Sequence, residues 1–153
     1  MSQWSEAWLR EYQAKRQAAV AVPASASISF TLNRPTPLLN VLMRMHWRAR
    51  GKYQRSLSAE IASKVPHVPG RQPFQRATMT ITRFSVGVAP DEDGLIGGTK
   101  ILQDCLLIRS TRHPDGLGII VDDSPGHLTV SVKAIRCRTR KEQRTEVVIH
   151  SSV

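Results

Sequence analysis

Apolar residues recur along the chain at two spacings, and each spacing predicts one type of secondary structure. Ile28, Phe30 and Leu32 alternate with polar residues, which predicts a half-buried β-strand. Apolar side chains in residues 4–19 recur every three or four positions, which predicts an amphipathic helix that ends before the loop "VPASAS". We expect residues 1–26 to be an accessory helix and linker, packed on the domain or on a second subunit.

Further strand patterns follow in the second half of the chain. The run 77–88 is strand-like, and a change of its apolar phase near Arg83 predicts a β-bulge. "LGIIVDDSPG" predicts a short apolar strand that ends in two aspartates, and residues 128–132 alternate in the next strand. "RCRTRKEQR" predicts the tip of a basic hairpin, from which residues 147–149 return as a final strand.

Two helix patterns lie between these strands. Leu57, Ile61 and Val65 have the spacing of the core-facing side of a helix that follows a basic loop. "TKILQDCLLI" predicts a second helix with Thr99 at its N-cap. The apolar stripe of that helix consists of Ile101, Cys105 and Ile108. We therefore expect residues 27–153 to form a single α+β domain, a mixed β-sheet flanked by helices.

Composition narrows the choice of partner. The 153 residues are 41% hydrophobic, which is enough for one domain with one core. Lys and Arg total 22 against 12 Asp and Glu, and a domain this basic most often binds a polyanion such as nucleic acid. A solubilising surface is the alternative. We find no apolar run of membrane-spanning length and no signal-peptide pattern, so we expect a cytoplasmic protein without a membrane partner.

The segment "NVLMRMHWRARGKYQR" interleaves basic residues with aromatic residues. Cations suit the phosphates of DNA, and rings suit bases or sugars. A basic amphipathic helix that packs on the core would also explain the pattern, and the two interpretations can hold together. The candidate nucleic-acid contacts here are Arg44, His46, Trp47, Arg48 and Arg50. A second candidate set near the expected hairpin consists of Arg136, Arg138, Arg140 and Arg144.

Acidic residues concentrate at two points, "PDEDG" and "VDDSP". If each follows a strand and the strands are neighbours, then Asp91, Asp93 and either Asp122 or Asp123 meet at one end of the sheet. Mg²⁺ prefers hard oxygen ligands and keeps several waters, so two or three carboxylates are enough to hold it. In an extended segment Asp91 and Asp93 point to the same side, and Glu92 points away. The alternative is an ordinary β-turn, which favours Asp and Gly in any case.

In this order, the motifs "PDEDGLIGGTKILQDCL" and "GIIVDDSPGHLTVSVK" resemble the RusA family of Holliday junction resolvases, which are small magnesium-dependent endonucleases. That family shows Asp-x-Asp-Asn-Leu, a lysine, an aspartate four residues later, Asp-Asp and a later lysine. "LNVLMRMHWRAR" is similar to the basic loop after the first strand of phage members. The resemblance covers about residues 28–133. Two departures are Gly94, where the family has asparagine, and the "GGT" that lengthens the gap before Lys100.

The resemblance implies a role for each matching residue. The implied metal ligands are Asp91, Asp93, Asp122 and Asp123, with Asp104 in support. The implied catalytic residues are Asp91, Asp93, Asp123 and Lys100. The ammonium of Lys100 would stabilise charge on the scissile phosphate, and Lys133 would contact nucleic acid. The metal would be Mg²⁺, with Mn²⁺ able to replace it.

The resemblance also implies a RusA-like homodimer that acts on branched DNA. A four-way junction is two-fold symmetric and needs two cuts, which a two-fold dimer supplies. Two alternatives stay open. One is a metal-dependent nuclease that acts on flaps, forks or plain duplex. The other is a DNA-binding module without catalysis, in which the acidic residues only form turns.

Overall fold

The structure, a computed structural model, describes residues 10, 26–66 and 70–152. The accessory helix expected within residues 1–26 therefore lies outside the described residues, apart from Arg10 and Ala26. In chain order the elements are β1 Ser27–Leu32, α1 Leu39–Arg44, α2 Trp47–Lys64, β2 Ala77–Ser85, α3 Glu92–Gly97, α4 Lys100–Leu106, β3 Leu128–Arg136, a 3₁₀ turn Arg140–Glu142 and β4 Arg144–Ser151.

The four strands form one mixed sheet in the order β1-β4-β2-β3. β4 is antiparallel to both β1 and β2, whereas β2 and β3 are parallel. A parallel pair needs a long crossover, and here the chain between β2 and β3 carries α3 and α4. The expected α+β domain with a mixed sheet and helices is confirmed.

One face of the sheet carries the hydrophobic core. In β1 the side chains of Ile28, Phe30 and Leu32 are buried and the intervening residues are exposed, as the alternation predicts. The helices pack on this face, where α2 contributes Leu57 and Ile61. From α4 come the buried residues Ile101, Leu102, Cys105 and Leu106. Burial of each large aliphatic side chain contributes about 1.5–3 kcal/mol, so this face supplies most of the driving force for folding.

The expected bulge in β2 is wrong. Through Arg83 the strand pairs residue for residue with both neighbours, β3 and β4. The change of phase has another cause, because Arg83 points to the helix-covered side and donates its Nε–H to the carbonyl of Thr36 at 2.7 Å. Phe84 points to the opposite side, where the Arg144 guanidinium lies 3.7 Å from the ring centroid.

Three other sequence expectations also need correction. Residues 137–143 are no hairpin tip, because β4 inserts between β1 and β2 and the connection from β3 crosses the end of β2. "LGIIVDDSPG" contributes only isolated bridges from Ile120 to Phe74 and Leu107, not a strand of the sheet. Ile108 lies beyond the end of α4 and is 45% exposed, so it is no part of the apolar stripe.

Candidate catalytic site and nucleic-acid interface

The "PDEDG" segment starts a helix. Asp91 is the N-cap of α3, with extended backbone, and its Oδ2 accepts a hydrogen bond from the Gly94 N–H at 3.2 Å. An aspartate is favoured at this position, and Glu92 and Asp93 in the first turn are favoured by the helix dipole. Because the residues after Asp91 are helical, the extended geometry that would point Asp91 and Asp93 to the same side is wrong.

Three glycines of this segment permit close approaches. A Cβ at Gly94 would lie 2.7 Å from Asp91 Oδ1, so glycine makes room for the capping carboxylate. A Cβ at Gly98 would lie 1.9 Å from the backbone oxygen of Pro37, and one at Gly97 would lie 2.9 Å from a methyl group of Leu39. The "GG" that departs from the RusA pattern is therefore the surface on which the β1–α1 segment rests.

Thr99 occupies the N-cap position of α4, as the sequence predicts, but its hydroxyl does not cap the helix. The hydroxyl donates to the Ile96 carbonyl at 2.7 Å and accepts from the Gln103 side chain at 3.0 Å. Because Thr99 is fully buried, these two bonds satisfy it and fix the turn between α3 and α4. Lys100 therefore begins α4 in a defined position.

Lys100, Asp104 and Asp123 form a charged group that we call the Lys100 cluster. The ammonium of Lys100 donates to Asp123 Oδ2 and lies 3.2 Å from Asp104 Oδ1. Lys100 and Asp104 are one helical turn apart and share a face of α4, as their spacing predicts. Partial burial alone lowers the pKa of Lys100, but the hydrogen bond to Asp123 and the attraction of both carboxylates outweigh it, and the pKa is raised above its ordinary value.

Asp122 shapes the turn that carries Asp123. Its Oδ1 accepts from the Asp123 N–H and its Oδ2 accepts from the Ser124 hydroxyl, each at 2.9 Å. These bonds, the one from Ser124 foremost, lower the pKa of Asp122. Ser124 was not among the predicted site residues, although Asp and Ser next to a proline are typical turn residues.

The two acidic points do not meet as neighbouring strand ends. Asp91 follows the C-terminal end of β2, whereas Asp122 and Asp123 precede the N-terminal end of β3. Since β2 and β3 are parallel, these are opposite ends of the pair. It is the return of the chain through α3 and α4 that brings Lys100 to Asp123.

The structure bears on a metal ion in two ways. Within the described ranges, no three His, Cys, Asp or Glu side chains are grouped closely enough to hold a metal ion. The donor chemistry of the Lys100 cluster nevertheless fits a cation, because its two carboxylates already hold an ammonium. In addition, Asp104 Oδ1 is buried, and among the described residues it has the ion pair with the Lys100 ammonium at 3.2 Å but no hydrogen bond of good geometry. The ligand set of Asp91, Asp93, Asp122 and Asp123 stays a prediction.

The basic segment after β1 is helical, so the expected loop is wrong and the alternative of a basic helix that packs on the core is confirmed. α1 ends at Arg44, and only Met45 and His46 separate it from α2. His46 caps α2, because its Nδ1 accepts from the Arg48 N–H at 3.2 Å. Trp47 is the first residue of α2 and is 71% exposed. We call residues 43–50 the basic corner.

Other contacts brace the basic corner. The Arg50 guanidinium donates to the Leu42 carbonyl at 2.6 Å and so joins the last turn of α1 to α2. The Arg48 guanidinium lies 5.1 Å from the Trp47 ring centroid, within the range of a cation–π contact. The His46 ring lies 5.5 Å from the same ring. Arg44 is exposed in the last turn of α1, where the helix dipole favours a cation.

The second basic set divides into two groups. Arg136, Arg138 and Arg140 are exposed, and a groove of about 500 Å³ is lined by Val86, Gly87, Arg136, Cys137 and Arg138. Lys133 is exposed on the side of the sheet away from the core. Arg144 has a structural role instead, because it pairs with Glu146 at 2.9 Å and donates to the Glu142 carbonyl at 2.8 Å.

None of the helices in the described part of the chain is long and apolar enough to cross a membrane. Compared with models of known protein families and with curated proteins, the sequence gives no match. The similarity to RusA resolvases therefore rests on the sequence motifs alone.

Proposed function

We propose that the protein is a Mg²⁺-dependent endonuclease that cuts branched DNA, four-way junctions in particular, by hydrolysing phosphodiester bonds during DNA recombination and repair. The observation that carries the proposal is the Lys100 cluster. It gathers a lysine and two aspartates of the RusA-like motif, from positions up to 23 residues apart, into one charged group. A strongly basic corner in the same small domain supplies a surface for phosphates.

In this proposal Asp91, Asp93 and Asp123 hold the ion, with Asp122 and Asp104 in support. The proposal requires that the return of the chain through α3 and α4, which brings Lys100 to Asp123, also brings Asp91 and Asp93 to the same ion. When bound, Mg²⁺ offsets the charge that develops on the phosphodiester and lowers the pKa of an attacking water. Asp122 acts through the turn that positions Asp123.

The protein side chains supply the remaining parts of the mechanism. Lys100 presents an ammonium, protonated at neutral pH, to the scissile phosphate. The DNA arms are held by Arg44, His46, Trp47, Arg48 and Arg50, together with Lys133, Arg136, Arg138 and Arg140. A homodimer places two such sites on a two-fold symmetric junction.

Cleavage of matched substrates tests the proposal. The purified chain is incubated with Mg²⁺ and a synthetic four-way junction, a flap or a plain duplex of the same arm length, and the products are resolved on a denaturing gel. We expect paired cuts in the junction, none in excess chelator, and binding without cleavage in Ca²⁺. Preferential cutting of the flap or the duplex would show that the protein is a nuclease with a substrate other than the four-way junction.

A DNA-binding module without catalysis is the second candidate, and specific contacts favour it. Asp91 caps a helix, Asp122 closes its own turn, and Asp123 is paired with Lys100. Each of these acids therefore has a structural use. Tight junction binding without cleavage in either Mg²⁺ or Mn²⁺ would select this candidate.

A further inference from the structure

The basic corner exposes large apolar side chains that no described part of the fold covers. Met43 lies in the last turn of α1 and Trp47 is the first residue of α2, and each is 71% exposed. Val41 on α1 is also exposed. An exposed group of large apolar residues on a small domain usually marks a contact surface.

The charge around these residues limits what can cover them. Residues 26–59 contain six Lys and Arg and no Asp or Glu. In a two-fold dimer formed through this surface, each copy would meet the same cations on the other, and no carboxylate would offset them. A polyanion that also offers apolar rings fits both properties, and nucleic acid with accessible base faces is such a ligand.

The corner is held in place before any ligand binds. Arg50 ties the end of α1 to α2, and His46 caps α2 beneath Trp47. The segment that leads into α1 rests on Gly97 and Gly98. Because these contacts fix the backbone that carries Trp47, less conformational entropy is lost on binding, which favours the use of Trp47 as an anchor.

We infer that Met43 and Trp47 form a stacking wedge that enters DNA where a base is unpaired or a base step is open. The inference rests on the proposed function, and it names the feature of the substrate that is recognised. Trp47 stacks on the exposed base, while Met43 fills the space beside it. Arg44 and Arg48 bind the flanking phosphates. Gly97 and Gly98 link the wedge to the proposed catalytic site. They contact Pro37 and Leu39 at the start of α1, and they lie just before Lys100, the first residue of α4.

The test measures binding in Ca²⁺, so that no cleavage is needed. Dissociation constants are determined for a junction, a duplex with one unpaired base and a fully paired duplex, at several salt concentrations. A base stacked on an aromatic ring contributes about 1–3 kcal/mol. We therefore expect Trp47→Ala to lower the preference for unpaired over paired DNA about 5- to 150-fold, and Met43→Ala to lower it less. The variant Trp47→Tyr should recover most of the preference.

Two comparisons separate stacking from charge and from damage to the fold. Arg44→Ala with Arg48→Ala should reduce the slope of log K against log salt by about 0.9 per lost phosphate contact, on all three DNAs alike, whereas Trp47→Ala should leave the slope unchanged. Ile135→Ala removes an apolar residue of 45% exposure from β3 and should change neither quantity. Circular dichroism confirms that each variant is folded.

The outcomes are distinct. If Trp47→Ala weakens binding equally on paired and unpaired DNA, or converts a dimer to a monomer in sedimentation, the wedge is wrong while the nuclease proposal stands. If the wild-type chain binds no DNA at all, both proposals fail. If Trp47→Ala loses the preference for unpaired DNA but the wild-type chain never cleaves DNA, the wedge is supported and the nuclease proposal is wrong.

Discussion

The Lys100 cluster and the basic corner use charge in opposite ways. In the cluster the charges are directed at one another, as Lys100 lies between Asp104 and Asp123. In the basic corner Arg44 and Arg48 make no ion pair within the described residues, and the Trp47 ring is exposed. Because the Lys100 side chain is 58% exposed, the ion pairs of the cluster contribute only modestly to stability. The cluster is suited to hold a cation, and the corner is suited to meet an anion.

The Gly97–Gly98 pair connects the two regions. A side chain at either position would push the α1 segment away from the turn between α3 and α4. The departure from the RusA pattern that lengthens the gap before Lys100 therefore has a structural use. It lets the basic corner and the Lys100 cluster share one rigid support, so a variant at the glycines should disturb both.

The largest effect is expected for the proposed metal ligands. Asp91→Asn, Asp93→Asn and Asp123→Asn should each reduce junction cleavage by at least about 10²-fold, because each removes a charge that the proposed ion requires. Junction binding should be unchanged or tighter, since a negative charge near phosphate is lost. Glu92→Gln is the matched control, an exposed neighbour with no proposed role. Wild-type cleavage by Asp93→Asn would show that the metal site is misplaced.

Lys100→Ala should reduce the rate of cleavage by about 10²-fold with little change in junction affinity. An ammonium that meets developing charge acts mainly in the transition state. Single-turnover kinetics on bound junction measure the rate. A rate within about twofold of wild type would mean that Lys100 only neutralises Asp104 and Asp123.

Gly98→Ala should destabilise the fold by about 1–3 kcal/mol, because the new Cβ would meet the Pro37 carbonyl oxygen, which is backbone and cannot move aside. Gly126→Ala is the control, since a Cβ there meets nothing within 4 Å and should change stability by less than about 0.5 kcal/mol. Urea unfolding gives both values. Equal stability of the two variants would contradict the claim that the chain before α1 packs tightly on Gly98.

The smallest effect concerns stability at alkaline pH. Because the pKa of Lys100 is raised in the folded state, its contribution is complete below the unfolded pKa, about 10.4, and is lost as pH rises through the folded value. The urea midpoint of the wild type should therefore fall more steeply above about pH 10 than that of Lys100→Met. Burial raises the pKa of Tyr53 and of Cys105 to about 12, and both groups affect the two proteins alike. If the urea midpoints of the two proteins fall in parallel above about pH 10, the ion pairs of the Lys100 cluster do not contribute to stability.

Local patterns predict the parts of the fold that local physics determines. The alternation of Ile28, Phe30 and Leu32 predicts β1 because one face of that strand meets the core. The strand order is decided by contacts distant in sequence, so the 137–143 connection resembles a hairpin although it crosses β2. Arg83 and Phe84 give the sequence pattern of a bulge without forming one. Arg83 on the core side donates to the Thr36 carbonyl, and Phe84 on the opposite side packs against the Arg144 guanidinium.

The candidate site shows the same division. The spacing of Lys100 and Asp104 predicts their ion pair, because a helix sets it. The start of α3 was open to prediction too, since Asp91 followed by two acids is a helix N-terminus signal. The role of Gly98 could not be predicted from the sequence, because it depends on a contact with Pro37, which lies 61 positions earlier in the chain.

Direct binding of Mn²⁺ to the DNA-free protein tests the central claim that the acidic residues hold a divalent cation. Electron paramagnetic resonance reports the free ion, so titrating wild type, Asp123→Asn and Glu92→Gln compares their affinities without any cleavage. We expect wild type and Glu92→Gln to bind Mn²⁺ alike and Asp123→Asn to bind it at least about tenfold more weakly, because one carboxylate ligand is lost. Equal Mn²⁺ binding by wild type and Asp123→Asn, or none by the wild type at millimolar concentration, would contradict the account.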